Sequence, residues 1–237
     1  MRFWGQVRLL GLVLAVDAVL AAGLLFMWKD RAGQGYGAKE ADRAASADGE
    51  APAPKVVALT FDDGPNKKYT EKLLDGLKVR DVKASFFLIG ECIEGNEDVV
   101  KRMEEEGHLI GVHCMYHTDL TKEAASDALE QLEETGAMIE EITGKKPEYV
   151  RPPYGKWSDS LREIIPMEPV FWNVDSIDWK LKDTSKIVKK VMKDTKNGDI
   201  ILMHDEFSTS VEAAFQIIDN LLANGYTFVT VDELTID

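Results

Sequence analysis

Only two of the 237 residues are cysteine. That is too few for a disulfide scaffold, and too few for a structural zinc site built on cysteine. Neither lies near the N-terminus, which excludes a lipid-modified cysteine as an anchor there. Histidine is scarce, with four in the chain. Basic side chains are the minority, 28 Lys and Arg against 42 Asp and Glu, for a net charge of −14. A chain this acidic is a poor candidate for nucleic acid, because phosphate contacts need a basic surface. No internal repeat is visible. Apolar residues are not scarce: hydrophobic types make up 45% of the chain, a globular proportion that excludes wholesale disorder. The length allows one globular domain with appendages, or two small domains.

The charge is unevenly placed. Residues 1–54 carry six basic and six acidic side chains, so the whole −14 belongs to residues 55–237. This reads as a soluble acidic surface, or as one that attracts a cationic polymer. Residues 9–28 (LLGLVLAVDAVLAAGLLFMW) are long and apolar enough to cross a bilayer as a helix. Arg2 and Arg8 precede this run, Lys29 and Arg31 follow it, and Trp4 and Trp28 stand at interfacial positions. Asp17 near its middle is costly in lipid unless it is protonated or paired, or unless the segment is never permanently embedded. Val19-Leu20-Ala21 offers a signal-peptidase site, but the apolar run continues past it, which favours an uncleaved membrane anchor over a secreted product. Either way the acidic part is expected outside the cytoplasm. Residues 29–54 read as a flexible linker ending in Ala51-Pro52-Ala53-Pro54. The expected organisation is therefore anchor 1–28, linker 29–54 and domain 55–237.

From residue 55 onward, short apolar runs alternate with amphipathic stretches. The pattern predicts strands at 56–60, 84–89, 109–112, 148–150, 170–174, 200–203 and 227–230. It predicts helices at 70–79, 97–106, within 122–142, at 158–165 (with Ser158 as cap), 185–193 and 211–223. Such alternation implies parallel βαβ units and an α/β domain, a distorted (β/α) barrel of about seven parallel strands. In such folds the chemistry sits at the C-terminal ends of the strands.

The ionisable residues follow that rule. Asp62 and Asp63 come after the first predicted strand, and His113 and His117 after the third. Arg151 and Tyr154 follow the fourth, Asp175, Asp178 and Trp179 the fifth, and His204 and Asp205 the sixth. Three of the four histidines thus fall at strand ends. His108 precedes a strand and reads as structural. The i, i+4 spacing of His113 and His117, on a helix or tight turn, can aim two imidazoles at one cation. Residue 114 is Cys rather than Glu, so the pair is not the HExxH of a zinc protease. A general base must come from elsewhere, and Asp62-Asp63 can supply it. Two His and one Asp leave coordination positions open, as a catalytic metal site requires. The acidic run at 130–141 reads as a solvated helix face, and Trp157 either as packing or as a platform for a sugar.

Taken in order, Thr60-Phe61-Asp62-Asp63-Gly64-Pro65, His113-Cys114-Met115-Tyr116-His117, Arg151-Pro152-Pro153-Tyr154-Gly155, Asp175-Ser176-Ile177-Asp178-Trp179 and Leu202-Met203-His204 resemble the five motifs of the polysaccharide deacetylases of the NodB homology type, carbohydrate esterase family four. The resemblance spans residues 55–237. It implies a divalent metal, zinc or another transition ion, held by Asp63, His113 and His117. It implies Asp62 as general base, His204 as general acid, Arg151 orienting the base and Asp178 tuning the acid. Trp179 and Leu202 would form the acetyl pocket, and the Tyr154 N–H would donate to the oxyanion. The implied reaction is hydrolysis of N-acetyl groups from N-acetylglucosamine units of an extracellular polysaccharide, with peptidoglycan the leading substrate. O-deacetylation of a xylan-type polymer is the runner-up, and a non-catalytic wall-binding protein on the same fold the other alternative. Cys114 stands where the family usually has Ser or Thr. A thiol is a weaker donor there, so a looser ligand loop is expected. Cys92 and Cys114 both follow strands, as free thiols or as a disulfide tethering two loops.

Overall fold

A computed structural model describes residues 54–234. The expected anchor at 1–28 and nearly all of the linker at 29–54 lie outside the described residues. Among the described residues, no helix is long and apolar enough to cross a membrane.

The strands are β1 (Lys55–Asp62), β2 (Ser85–Ile89), β3 (Leu109–Cys114), β4 (Tyr149–Val150), β5 (Glu168–Pro169), β6 (Val174–Asp175), β7 (Asp199–His204) and β8 (Tyr226–Val229). The helices are α1 (Lys67–Val79), α2 (Gly90–Ile93), α3 (Glu97–Glu105), α4 (Ala125–Thr143), α5 (Asp159–Ile164), α6 (Asp178–Leu181), α7 (Thr184–Asp194), α8 (Ser208–Ala223) and α9 (Val231–Leu234). Six expected strands and all six expected helices appear, with ends moved by three residues at most. Local chemistry sets the ends. The Asn66 side chain accepts from the N–H groups of Lys68 (3.1 Å) and Tyr69 (3.2 Å), so α1 starts before its apolar stripe does. Ser158 caps α5 as expected, accepting from Leu161 N–H at 3.3 Å.

All strand pairs are parallel, in the order β5-β4-β3-β2-β1-β7-β6. The eighth strand, β8, pairs with Lys55–Ala58 of β1. Val57 and Ala58 also pair with β7, so β8 must share the β2 edge of β1, below β2.

The seventh expected strand, 170–174, is a correction. Two-residue strands flank it instead: β5 ends at Pro169 on one edge of the sheet, and β6 begins at Val174 on the other. Five residue steps reach at most about 18 Å. Seven strands laid flat would separate those edges by about 29 Å. The sheet must therefore curl until its edges nearly meet, and residues 170–173 cross the seam. At its ends this run keeps one bond to β4, from Val170 N–H to the Val150 carbonyl (2.8 Å), and one to β7, from Asn173 N–H to the Ile200 carbonyl (3.0 Å), while the carbonyls of Val170 and Phe171 accept from the Arg151 guanidinium, each at 3.3 Å. The result is a curled, incomplete (β/α) barrel.

The strands are buried on both faces, as parallel strands covered by helices should be. Val57, Leu59, Phe61, Phe86, Leu88, Val112, Ile201 and Met203 pack outward in the large core with the helices. Ala58, Phe87, Val170 and Val231 form a small second cluster inside the curl. Alternation then fixes what else points inward: Thr60 and Asp62 share the parity of Ala58, and Gly111 and His113 that of Leu109. Leu202 and His204 share the parity of Ile200. Gly111 has no room for a side chain, since a β-carbon there would lie 2.7 Å from the Phe87 ring and 3.0 Å from the Tyr149 carbonyl. Gly111→Ala is expected to cost about 1–3 kcal/mol by overpacking, read as a fall of several degrees in Tm by calorimetry.

Candidate active site

Three inward positions lie at the carboxyl ends of three strands, β1, β7 and β3. Asp62 and His204 are register partners across β1 and β7, and His113 is the penultimate residue of β3. Turns with left-handed backbone bring in the rest: Asp63 (φ 73°), Cys114 (φ 107°), His117 (φ 52°) and Tyr154 (φ 60°). The i, i+4 pair His113 and His117 therefore sits on a strand end and its turn, not on a helix.

Asp63 Oδ1 lies 3.3 Å from His113 Nε2 and 3.4 Å from His117 Nε2. These ligand-type atoms form a cluster within 4.8 Å of one another. Asp63 Oδ1 is buried and has no hydrogen-bond partner, which is the signature of an atom awaiting a cation. His113 Nδ1 lies 2.6 Å from the Arg151 carbonyl; the carbonyl can only accept, so Nδ1 carries the proton and the Nε2 lone pair is turned towards Asp63. Burial pushes His117 down, outweighing the nearby Asp63 carboxylate, which favours the neutral imidazole that can ligate a metal. Burial alone would raise the Asp63 pKa, but the imidazoles of His113, His204 and His117 hold it below the usual carboxylate range. One carboxylate and two imidazoles with open faces fit a divalent transition ion.

Asp62 stands beside this cluster, with Oδ2 at 3.9 Å from His113 Nε2. Its Oδ1 accepts from Arg151 Nη1 at 2.8 Å. Arg151 is fully buried, and the same Nη1 also donates to Thr60 Oγ1 at 2.6 Å. On the other side His204 Nδ1 donates to Asp178 Oδ1 at 2.7 Å, and its backbone N–H donates to Asp178 Oδ2 at 2.9 Å. His204 Nε2 is left facing Asp63 Oδ2 at 3.9 Å. Burial opposes the imidazolium, but the Asp178 carboxylate outweighs it and pushes His204 up to about 9.

Asp62, Asp63, His113, His117, Arg151, Asp178 and His204 are thus joined by direct contacts. The Tyr154 ring meets the His117 ring edge-on at 4.8 Å, and its hydroxyl donates to the His117 carbonyl at 3.3 Å. Trp179 is half-exposed, and its N–H donates to Asp178 Oδ1. Leu202 is buried, two residues before His204 on the inward face.

Other sequence readings resolve more simply. Both cysteines are free thiols. Cys114 is buried, and burial pushes its thiol up against the opposing pull of the Thr118, Tyr116 and His117 N–H groups. Burial pushes the Cys92 thiol up to about 11, so it stays protonated. Trp157 packs against the large core. His108 is buried, accepts from Ala84 N–H at 3.1 Å, and is driven down to about 4 by burial, a structural imidazole as expected. Glu130, Glu133, Glu134, Glu140 and Glu141 are exposed along α4. Thr60 was missed as a functional residue. Its inward parity two positions before Asp62 was the available signal.

The polysaccharide deacetylase family model matches residues 49–166. The chain is 42% identical over 183 residues to the peptidoglycan-N-acetylmuramic acid deacetylase PdaC of Bacillus subtilis. It is 39% identical over 180 residues to the peptidoglycan-N-acetylglucosamine deacetylase PgdA of Listeria monocytogenes. These matches cover 77% and 76% of this chain, and 39% of each relative's length. The solved structure of PdaC superposes with a TM-score of 0.75, covering 77% of this chain and 91% of that one. The chain belongs to the polysaccharide deacetylase family. The motif resemblance drawn from the sequence is thereby upheld.

Asp178→Asn removes the partner that holds the proton on His204. In metal-free protein His204 is expected to titrate about 1–3 pH units lower in the variant, followed by imidazole NMR. The raised pKa stabilises the fold fully below the unfolded value of about 6.5, and that stabilisation is lost as pH rises through about 9. The stability gap between wild type and variant, measured by chemical denaturation, should therefore narrow across that window.

Proposed function

We propose that this chain is a zinc-dependent N-deacetylase acting on N-acetylglucosamine units of an extracellular polysaccharide, peptidoglycan foremost. On this reading residues 55–237 are the catalytic domain, held outside the cell membrane by the 1–28 segment through the 29–54 linker. The observation that carries it is the unpartnered Asp63 carboxylate oxygen between two imidazoles, flanked by Asp62 and His204, which have separate partners of opposite charge.

Asp63, His113 and His117 would hold the ion. When bound, zinc supplies Lewis acidity that makes water a nucleophile near neutral pH and polarises an amide carbonyl. Asp62 takes the proton from the attacking water, with its other oxygen anchored by Arg151. Water oxygen bonds to the acetamide carbon, and the developing oxyanion is met by the Tyr154 N–H. His204 delivers its Nε2 proton to the sugar nitrogen as the C–N bond breaks, and Asp178 keeps that proton in place until then. Trp179 and Leu202 enclose the acetyl methyl. The products are acetate and a glucosamine unit, a cation at neutral pH that suits an acidic domain.

PdaC and PgdA are named for different sugars of one polymer, and the identities to them are close. The test is therefore acetate release from peptidoglycan, N-acetylglucosamine oligomers, N-acetylmuramic acid-containing fragments and acetylated xylan, each with zinc and with chelator. Zinc-dependent release from the N-acetylglucosamine substrates is expected, with Asp62→Asn lowering kcat by about a hundred- to ten-thousand-fold. Release from xylan alone would move the reaction to O-deacetylation. Zinc binding without release from any of them would point to a substrate outside this set, and no release with no bound zinc would favour a wall-binding protein.

A further inference from the structure

Asp205 is a completely buried carboxyl group to which the chemistry above gives no part. It directly follows His204 at the end of β7. Thr70, fully buried in the first turn of α1, donates its hydroxyl hydrogen to Asp205 Oδ2. The same hydroxyl oxygen accepts from Asn66 N–H at 2.7 Å, and the Asn66 side chain caps α1. Asp205 Oδ1 has no hydrogen-bond partner. It is pressed instead against Gly64, where a β-carbon would lie 2.8 Å from each carboxylate oxygen. Gly64 is the residue after Asp63, and its carbonyl accepts from Ile89 N–H at 3.0 Å. Burial pushes Asp205 up to about 7 against the pull of Thr70, so the group is held where an exposed carboxylate would be more stable. A costly group retained in one exact contact set is a spacer between two loops.

We propose that Asp205 is a positioning residue. Through Thr70 and through its contact with Gly64, it sets the height of the loop 63–66 against the end of β7, so that the Asp63 carboxylate faces His113 and His117 with His204 at its side. This inference rests on the metal site proposed above. Thr70 and Asp205 would act as one unit, since the hydroxyl is the only link between the carboxyl and the Asn66 backbone that the contacts describe.

The experiment measures zinc affinity directly, by competition with a chelating dye, on full-length protein that unfolds cooperatively. The variants are Thr70→Val, which removes the hydroxyl at nearly constant volume, Asp205→Ala, the double variant and Thr70→Ser. Thr70→Val is expected to weaken zinc binding about tenfold, the scale on which groups behind metal ligands act. It should lower kcat with KM unchanged, and Thr70→Ser should restore both. The double variant should be no weaker than Asp205→Ala, because the two groups share one link. A purely structural role would lower Tm and leave affinity and kcat alone. Affinity within about twofold of wild type in folded Thr70→Val, or fully additive losses in the double variant, would overturn the inference while leaving the metal site intact. Absence of zinc binding by the wild-type protein would overturn both.

Discussion

A guanidinium with no exposure to water sits at the centre of this domain. Arg151 donates to Thr60 and Asp62 on β1, and to the carbonyls of Val170 and Phe171 where the chain crosses the open seam. Its Cζ lies 4.2 Å from the Phe87 ring centroid and 5.9 Å from that of Trp172. Its own carbonyl accepts a hydrogen bond from His113 Nδ1–H. One residue therefore closes the barrel, anchors the proposed base and selects the tautomer of a proposed ligand. Burying the ion pair is expensive, and the Coulombic gain repays it only when the remaining donors are satisfied. Here carbonyls, a hydroxyl and two aromatic faces do so. A lysine, with a point charge and no planar fork, could not serve four directions at once.

The second constraint is backbone strain gathered at one end of the sheet. Among the described residues, non-glycine positive φ occurs at Asp63, Asp81, Cys114, His117, Tyr154, Ile177 and Lys182. All but Asp81 lie at or just after the carboxyl ends of strands, or flank the short helix α6 that follows β6. Such conformations persist only where surrounding contacts over-determine them. The contacts are visible in each case that matters to the site. Gly64 is wedged on Asp205, Cys114 is fully buried, and Tyr154 packs on His117.

Much of this was legible in the sequence because it follows from period and order. Strand alternation carries Asp62, His113 and His204 to one face, and five ordered motifs point to the same end of the sheet. What was hidden depends on contacts between residues far apart in the chain. The run at 170–174 has the composition of a strand, yet its carbonyls are claimed by Arg151, and it spans a seam that exists only once the sheet has curled. The histidine spacing is neutral between helix and turn, and only the β3 register decides. Thr70 carries no local signal, and the strand-end rule marks Asp205 without giving it a partner, until the fold presses the two together.

A shared logic governs the groups that the proposed reaction would use: each has one atom tied down and another left free. Asp62 gives Oδ1 to Arg151 and keeps Oδ2 towards the site. His204 gives Nδ1 to Asp178 and keeps Nε2. His113 gives Nδ1 to a carbonyl and keeps Nε2. The tethers also differ in sign. A cation holds the carboxylate that must accept a proton, and an anion holds the imidazole that must donate one. Exchanging those partners would favour the wrong protonation state of each group and reverse the assignment of acid and base. Strand parity supplies position, and the opposite charge of the two tethers supplies direction to the proton transfer.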